Sequence, residues 1–268
     1  MDVKPASPEE VLSQAFDHLT HDPDDIAVGL KAIDEYLALV CSPVPIYSPV
    51  ATKSKSVENK LSYPTSPWIK EFRKLQDGFQ YNIAQRLIAC IDSLLTAKNS
   101  QPQDSLITSC LECLQGTLLL HPESRNLFAR QIHMATFIEL LTRRQPPELR
   151  VLTIDTLVCT LLECPANMRT FESLNGLQTI ATIFKTTSTP SKIRLRITEF
   201  LYFYLLPENE SSQRNGYSSA QVVKVGKECV MGPRVRSIQQ KEEMLGRHLK
   251  GIEGIVMDIR GYLESRGK

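Results

Sequence analysis

No apolar run in this sequence reaches 18 residues, so nothing in it reads as a membrane-spanning helix. The opening MDVKPASPEE lacks the apolar segment of a secretory signal, and no such leader is expected. Glycine is scarce, at 12 in 268 residues, and alternating apolar runs are nearly absent. Both argue against a large sheet. Neither G-x-x-x-x-G-K-[S/T] nor G-x-G-x-x-G occurs, which leaves nucleotide binding without support. The five histidines (His18, His21, His121, His133, His248) form no H-E-x-x-H set. Cys110-x-x-Cys113 has no second ligand pair at metal spacing, so it reads as helix packing. Cys229-Val-Met-Gly-Pro-Arg234 fails as a cysteine phosphatase loop. Four residues separate Cys and Arg where five are needed, and Glu228 stands where a His is usual. No catalytic constellation is left. The expectation is a protein that is not an enzyme and carries no metal or cofactor.

Charge is nearly balanced at +1 but unevenly spread. Residues 1–184 hold 16 Lys and Arg against 21 Asp and Glu, or −5; residues 185–268 hold 15 against 9, or +6. That excess is too small and scattered to predict nucleic-acid binding. It suits an acidic partner face or self-contact, and equally an ordinary solvated surface. The cysteines number seven, and six (Cys41, Cys90, Cys110, Cys113, Cys159, Cys164) sit in or beside apolar helical stretches. They read as reduced core thiols of a cytosolic or nuclear protein.

What the chain does have is a period. Residues 104–141 lie on residues 147–184 without a gap, a shift of 43. Leu114 meets Leu157, Thr117 meets Thr160, Pro122 meets Pro165 and Phe128 meets Phe171. A helical period of 40–47 residues marks HEAT or armadillo repeats. The expected fold is therefore all-α, an armadillo/HEAT-like helical-repeat solenoid. Each unit should hold a long helix (104–120, then 147–163), a Pro turn, a short helix with the shared Phe, and a third helix (133–143, then 176–186). Asn175-Gly176-Leu177 resembles an armadillo junction in which Gly permits the bend. A third unit starts after Thr189-Pro190, slipped by about one residue.

The rest of the chain divides around that core. Residues 1–41 should form an opening layer of two helices, begun at Ser7-Pro8-Glu9-Glu10 and Asp22-Pro23. Residues 42–65, with four prolines, read as an irregular or disordered insert. Residues 66–207 carry the repeats, entered by one helix, or two with a bend near Gly78, that holds Phe79 and Ile83 on its apolar face. Residues 208–235 form a polar loop, and 236–268 a C-terminal helix. In that helix Leu245, Leu249, Ile252, Val256, Ile259 and Leu263 make a heptad seam. Its four glycines favour packing on the end of the solenoid over a free coiled coil.

Five Ser/Thr-Pro pairs occur. Capping explains Ser7, Ser66 and Thr189, whereas Ser42 and Ser48 lie in the insert. Ser42, Ser48 and Thr189, the last within Thr-Pro-Ser-Lys, are candidate phosphosites. Lys185, Lys192, Arg194 and Arg196 gather around one inter-helix turn, as a docking patch for an acidic loop or as a solvated edge. If third helices line a concave face, Arg143, Arg144 and Lys185 lie near its groove.

Asn167-Met168-Arg169-Thr170-Phe171-Glu172, Asn175-Gly176-Leu177, the run Ile197–Glu208 and Lys241–Arg247 carry a resemblance. They resemble a fungal family, the cell division control protein fourteen component of the septation initiation network, which is unrelated to the phosphatase of similar name. The resemblance implies a non-catalytic partner of a germinal-centre-type protein kinase; for a rigid helical shell the expected mode is a hetero-oligomer in which it grips the kinase or its C-terminal tail. It implies a cytoplasmic protein recruited to the spindle pole body in cytokinesis. A general armadillo-type peptide adaptor is the alternative.

Overall fold

A computed structural model describes residues 7–42, 67–97, 103–208, 235–251, 253–254, 256–258 and 261. Among these residues every regular element is helical and no strand occurs. The chain forms two compact units, Met1–Ile83 and Ala84–Lys268.

In the first unit α1 (Pro8–His18) opens on a complete capping box. The Ser7 hydroxyl accepts the Glu10 N–H at 3.2 Å, and the Glu10 carboxylate accepts the Ser7 N–H at 2.9 Å. α2 (Pro23–Cys41) opens on Asp22, whose carboxylate accepts the N–H groups of Asp24 and Asp25. The two helices approach closely at Gly29, where a Cβ would stand 2.6 Å from the Ala15 carbonyl oxygen. Leu12, Ala15 and Phe16 of α1 are buried, as are Ile26, Leu30, Ile33 and Leu37 of α2. α3 (Pro67–Asp77) packs on α2, with Phe72 and Tyr36 at 6.1 Å between ring centroids. Burial, with Glu71 and Glu9 nearby, pushes the Tyr36 phenol up to about 12.

The helix then breaks. Gln76 donates to the Tyr81 carbonyl at 3.0 Å and accepts the Ile83 N–H at 2.8 Å, while Asn82 donates to the Gln76 carbonyl at 2.7 Å. These bonds satisfy backbone groups that a continuous helix would have paired. Phe79 therefore leaves the apolar face assigned to it by spacing and stands exposed.

The second unit contains α4 (Ile83–Thr96), α5 (Gln103–Leu120), a 3-10 helix (Pro122–Ala129), α6 (Gln131–Thr142), α7 (Pro147–Leu161), α8 (Pro165–Ser173), α9 (Gly176–Lys185), α10 (Ser191–Leu205) and α11 (Ile238–Gly246). The 43-residue period reappears in the backbone. His121 has φ −131° and ψ 83°, and Cys164 has φ −127° and ψ 83°. Thr117 and Thr160 are fully buried, and each hydroxyl donates to the carbonyl four residues back, at 2.8 and 2.9 Å. A hydroxyl buried without a partner would cost about 1–3 kcal/mol. Phe128 and Phe171 are both buried.

The slip of one residue is also real. Pro146 and Pro190, 44 apart, share φ −56° and precede α7 and α10. Four residues on, Arg150 and Arg194 reach back seven residues, donating to the Arg143 carbonyl at 2.9 Å and the Thr187 carbonyl at 3.0 Å. α5 packs on α7 and α7 on α10.

Three expectations need correction. Thr189 does not cap α10, because Pro190 occupies that position; its hydroxyl instead donates to the Ile183 carbonyl of α9 at 2.7 Å. Gly176 does not supply the left-handed turn, which Asn175 adopts at φ 58°. Gly176 instead leaves room for the Phe171 ring, which an added Cβ would overlap. The C-terminal helix is not continuous: α11 ends at Gly246, Gly251 has φ 82°, and helix returns at 253–254. Three of the last segment's glycines stand at or beside that break. Ile252, Ile259 and Leu263 of the seam lie outside the described residues, as do Ser48, Ser66, Cys229 and all of the insert but Ser42.

Candidate partner-binding surface

The C-terminal side of the second unit is built around a buried charge cluster. Lys241 of α11, almost fully buried, donates to the Leu206 carbonyl at 2.8 Å and pairs with Glu208 at 3.2 Å. Glu208 also takes Arg169 and the Arg236 N–H. Glu172 takes Arg169, Arg236 and, at 2.9 Å, the Tyr204 hydroxyl. Three cations thus surround two carboxylates and join α8, α10 and α11. Burial raises the Glu172 carboxyl, against the pull of Arg169, Tyr204 and Arg236. Burial lowers the Lys241 ammonium, against the pull of Glu208. In both, loss of water outweighs the partners.

A cleft of about 200 Å³ opens over this cluster. Its walls include Leu161, Pro165, Met168, Phe203 and Leu206, and Glu163, Glu208 and Lys241 supply its charge. It has room for one or two side chains of a partner rather than a drug-sized ligand. Glu163 stands at its edge with φ 52°, a backbone region that non-glycine residues seldom occupy.

The basic turn between α9 and α10 divides into two pairs. Arg194 donates to the carbonyls of Thr186, Thr187 and Thr189 and so closes its own turn. Arg196 pairs with Asp155 of α7 at 3.1 Å and with Glu199 at 2.7 Å. Lys185 and Lys192 are exposed. Arg143 and Arg144 follow α6, the first half-buried and the second exposed. Ser42 is exposed and donates to the Ala38 carbonyl; Thr189 is buried. Cys90, Cys110 and Cys113 are buried thiols; Cys110 donates to the Cys90 sulfur at 3.8 Å, and that bond, with burial second, raises Cys110. Cys41 is exposed, not core, because it ends α2.

The sequence reading missed Arg125, Arg150 and Asn167. Arg125 donates to the Leu162 carbonyl at 3.0 Å, and Asn167 donates to both the Arg125 and Thr160 carbonyls at 2.8 Å, tying one repeat to the next. The recurrence Pro146-x-x-x-Arg150 and Pro190-x-x-x-Arg194 was the available signal for Arg150. One period away, Met168 stands for Arg125 and Ser124 for Asn167, so neither residue type recurs.

Among the described residues, no helix is long and apolar enough to cross a membrane. No group of three or more His, Cys, Asp or Glu among them is placed to hold a metal ion.

Fold and surface define a class: a protein whose described residues are all-helical or connecting, with buried charges that join α8, α10 and α11. The family described as "Cell division control protein 14, SIN component" matches over residues 8–264, and the chain belongs to that family. The chain is also similar to the Schizosaccharomyces pombe protein named Cell division control protein 14, 30% identical over 260 residues and covering 94% of each. No solved structure matches. Membership ties the chain to septation initiation.

Proposed function

We propose that the chain is a non-catalytic helical scaffold of the armadillo/HEAT type. It binds a germinal-centre-type protein kinase through the kinase's C-terminal tail. It supports that kinase's activity and its recruitment to the spindle pole body in cytokinesis. The observation that carries this reading is the recurrence of backbone angles and Arg contacts from one helical unit to the next. Stacked units of this kind present extended surfaces to partners. Membership of a family of septation initiation network components supplies the pathway. A rigid surface acts on a kinase by binding its competent arrangement more tightly than the others, which shifts a population without chemistry.

The test is to mix the purified full chain with the purified full-length kinase of the same network. A stable hetero-complex by size-exclusion chromatography and calorimetry is expected, with higher kinase activity on a model substrate. At a kinase concentration of about 100 Kd the chain should gain roughly 2.7 kcal/mol of stability. Imaging of the tagged chain should place it at the spindle pole body during septation. Absence of complex, with capture of short peptide cargo instead, would favour a general peptide adaptor.

A further inference from the structure

The layering of α7 under α10 supplies a template for a layer that the described residues do not fill. Asp155 of α7 pairs with Arg196 of α10, which fixes the side of α7 that α10 covers. Val151, one turn before Asp155 on that side, is only 7% exposed. The slip established by Pro146 and Pro190, and again by Arg150 and Arg194, carries Val151 onto Leu195 and Asp155 onto Glu199. Leu195 is 63% exposed and Glu199 is exposed as well. The same side of the next helix is therefore open where its predecessor is covered. Further along α10, Tyr202 donates to Asp258 at 2.9 Å, so the C-terminal segment reaches the distal half of this side. An end layer normally turns a polar face outward, and an exposed leucine on the N-terminal half of α10 departs from that pattern.

Charge says what fits there. Lys192 lies one turn before Leu195, and Lys185 ends α9 beside the same turn; both are exposed. Arg196 already has Asp155 and Glu199 as partners, whereas Lys185 and Lys192 make no ion pair among the described residues. We propose that the N-terminal half of α10 docks a helix of the partner kinase. That helix lays an apolar stripe on Leu195 and turns acidic side chains toward Lys185 and Lys192, stacking on α10 as α10 stacks on α7. This rests on the kinase reading above and adds the place and the chemistry of contact.

The experiment uses full chain and full-length kinase. Leu195→Glu, the double change Lys185→Glu/Lys192→Glu, and the control Ile132→Glu, which alters an exposed apolar residue on α6, are compared by calorimetry at two salt concentrations. Hydrogen exchange maps amides protected by the kinase. The proposal expects at least tenfold weaker binding for the first two, an unchanged melting temperature, normal affinity for the control, and new protection over residues 191–199. The lysine variant should also lose part of the salt dependence. If the original chain binds and both variants bind equally well, or protection falls only elsewhere, this site is wrong while the kinase reading stands. If the original chain binds no kinase, that reading falls and this proposal with it.

Discussion

The two repeat units, residues 103–142 and 147–185, share a plan and differ in how they are held. In the first, the junction is closed by rings: His133 sets its imidazole edge-on to Phe128 at 6.4 Å, and Phe137 lies 5.4 Å from the same ring. In the second, Gly176 withdraws its side chain altogether, Phe171 occupies the space, and Asn175 accepts a left-handed backbone. Both positive-φ residues outside glycine among the described residues, Glu163 and Asn175, belong to the second unit. So do Arg169 and Glu172 of the buried charge cluster. The first unit is thus closed by aromatic contact and one imidazole hydrogen bond to the Leu127 carbonyl, the second by shape complementarity and by ions shared with α10 and α11. Repetition fixes the positions that bury the helix faces, and the second unit diverges where it must meet something other than a copy of itself.

The strongest way to break this comparison is at Lys241. Lys241→Ala leaves Glu208 short of a cation and the Leu206 carbonyl without its donor. Removing one member of a buried pair costs about 3–5 kcal/mol. Urea denaturation of the full chain should show that loss. Lys241→Met, which keeps the stem, should lose less. A cost near zero for Lys241→Ala would mean that ions do not secure the second unit.

The junction offers a smaller and more symmetrical contrast. Gly176→Ala inserts a methyl into the Phe171 ring and should cost about 1–3 kcal/mol through overpacking. At the matching position of the first unit, His133→Ala removes an edge contact with Phe128 and a 2.8 Å hydrogen bond to the Leu127 carbonyl, together about 1–2 kcal/mol. Addition hurts one unit and subtraction hurts the other. Thermal melts of both variants check it, and equal tolerance of Gly176→Ala would show that the ring has room to move.

Much of this plan was legible before any coordinates. Helical spacing and the caps at Ser7 and Asp22 place α1 and α2, and the period places α5 to α10, because those signals are local or recur. Phe79 was misplaced since spacing alone does not reveal that Gln76 and Asn82 can close a turn among themselves. Thr189 was misread because its bond reaches backward to Ile183, whereas a cap would reach forward. The long C-terminal helix failed at Gly246–Gly251, where the low propensity of glycine, though noted, was outweighed by the apolar seam. Of the surface, the clustering of Lys185, Lys192, Arg194 and Arg196 was visible, but not its division. Which cations are already engaged depends on Asp155 and on the Thr186, Thr187 and Thr189 carbonyls. The charge cluster around Glu172 and Glu208 joins residues up to 64 apart, and no periodic signal reports such a contact.

Acidity gives the finest test of what holds the second unit. Glu172 has its folded-state value raised, with burial as the largest cause. An unfolded Glu titrates near 4.3. The folded protein therefore binds this proton more tightly than the unfolded chain does. The stability it contributes is complete below about pH 4.3 and is lost as pH rises through the raised value. Glu172→Gln cannot titrate, so subtracting its melting curve from that of the original chain isolates the carboxyl from every other group. Between pH 4 and 8 the difference should move against the original chain as pH rises, and then level off. A difference that moves the other way would mean that Arg169, Arg236 and Tyr204 outweigh the lost hydration. The ions would then be a source of stability in their own right, and the second unit would differ from the first by strength of attraction as well as by shape.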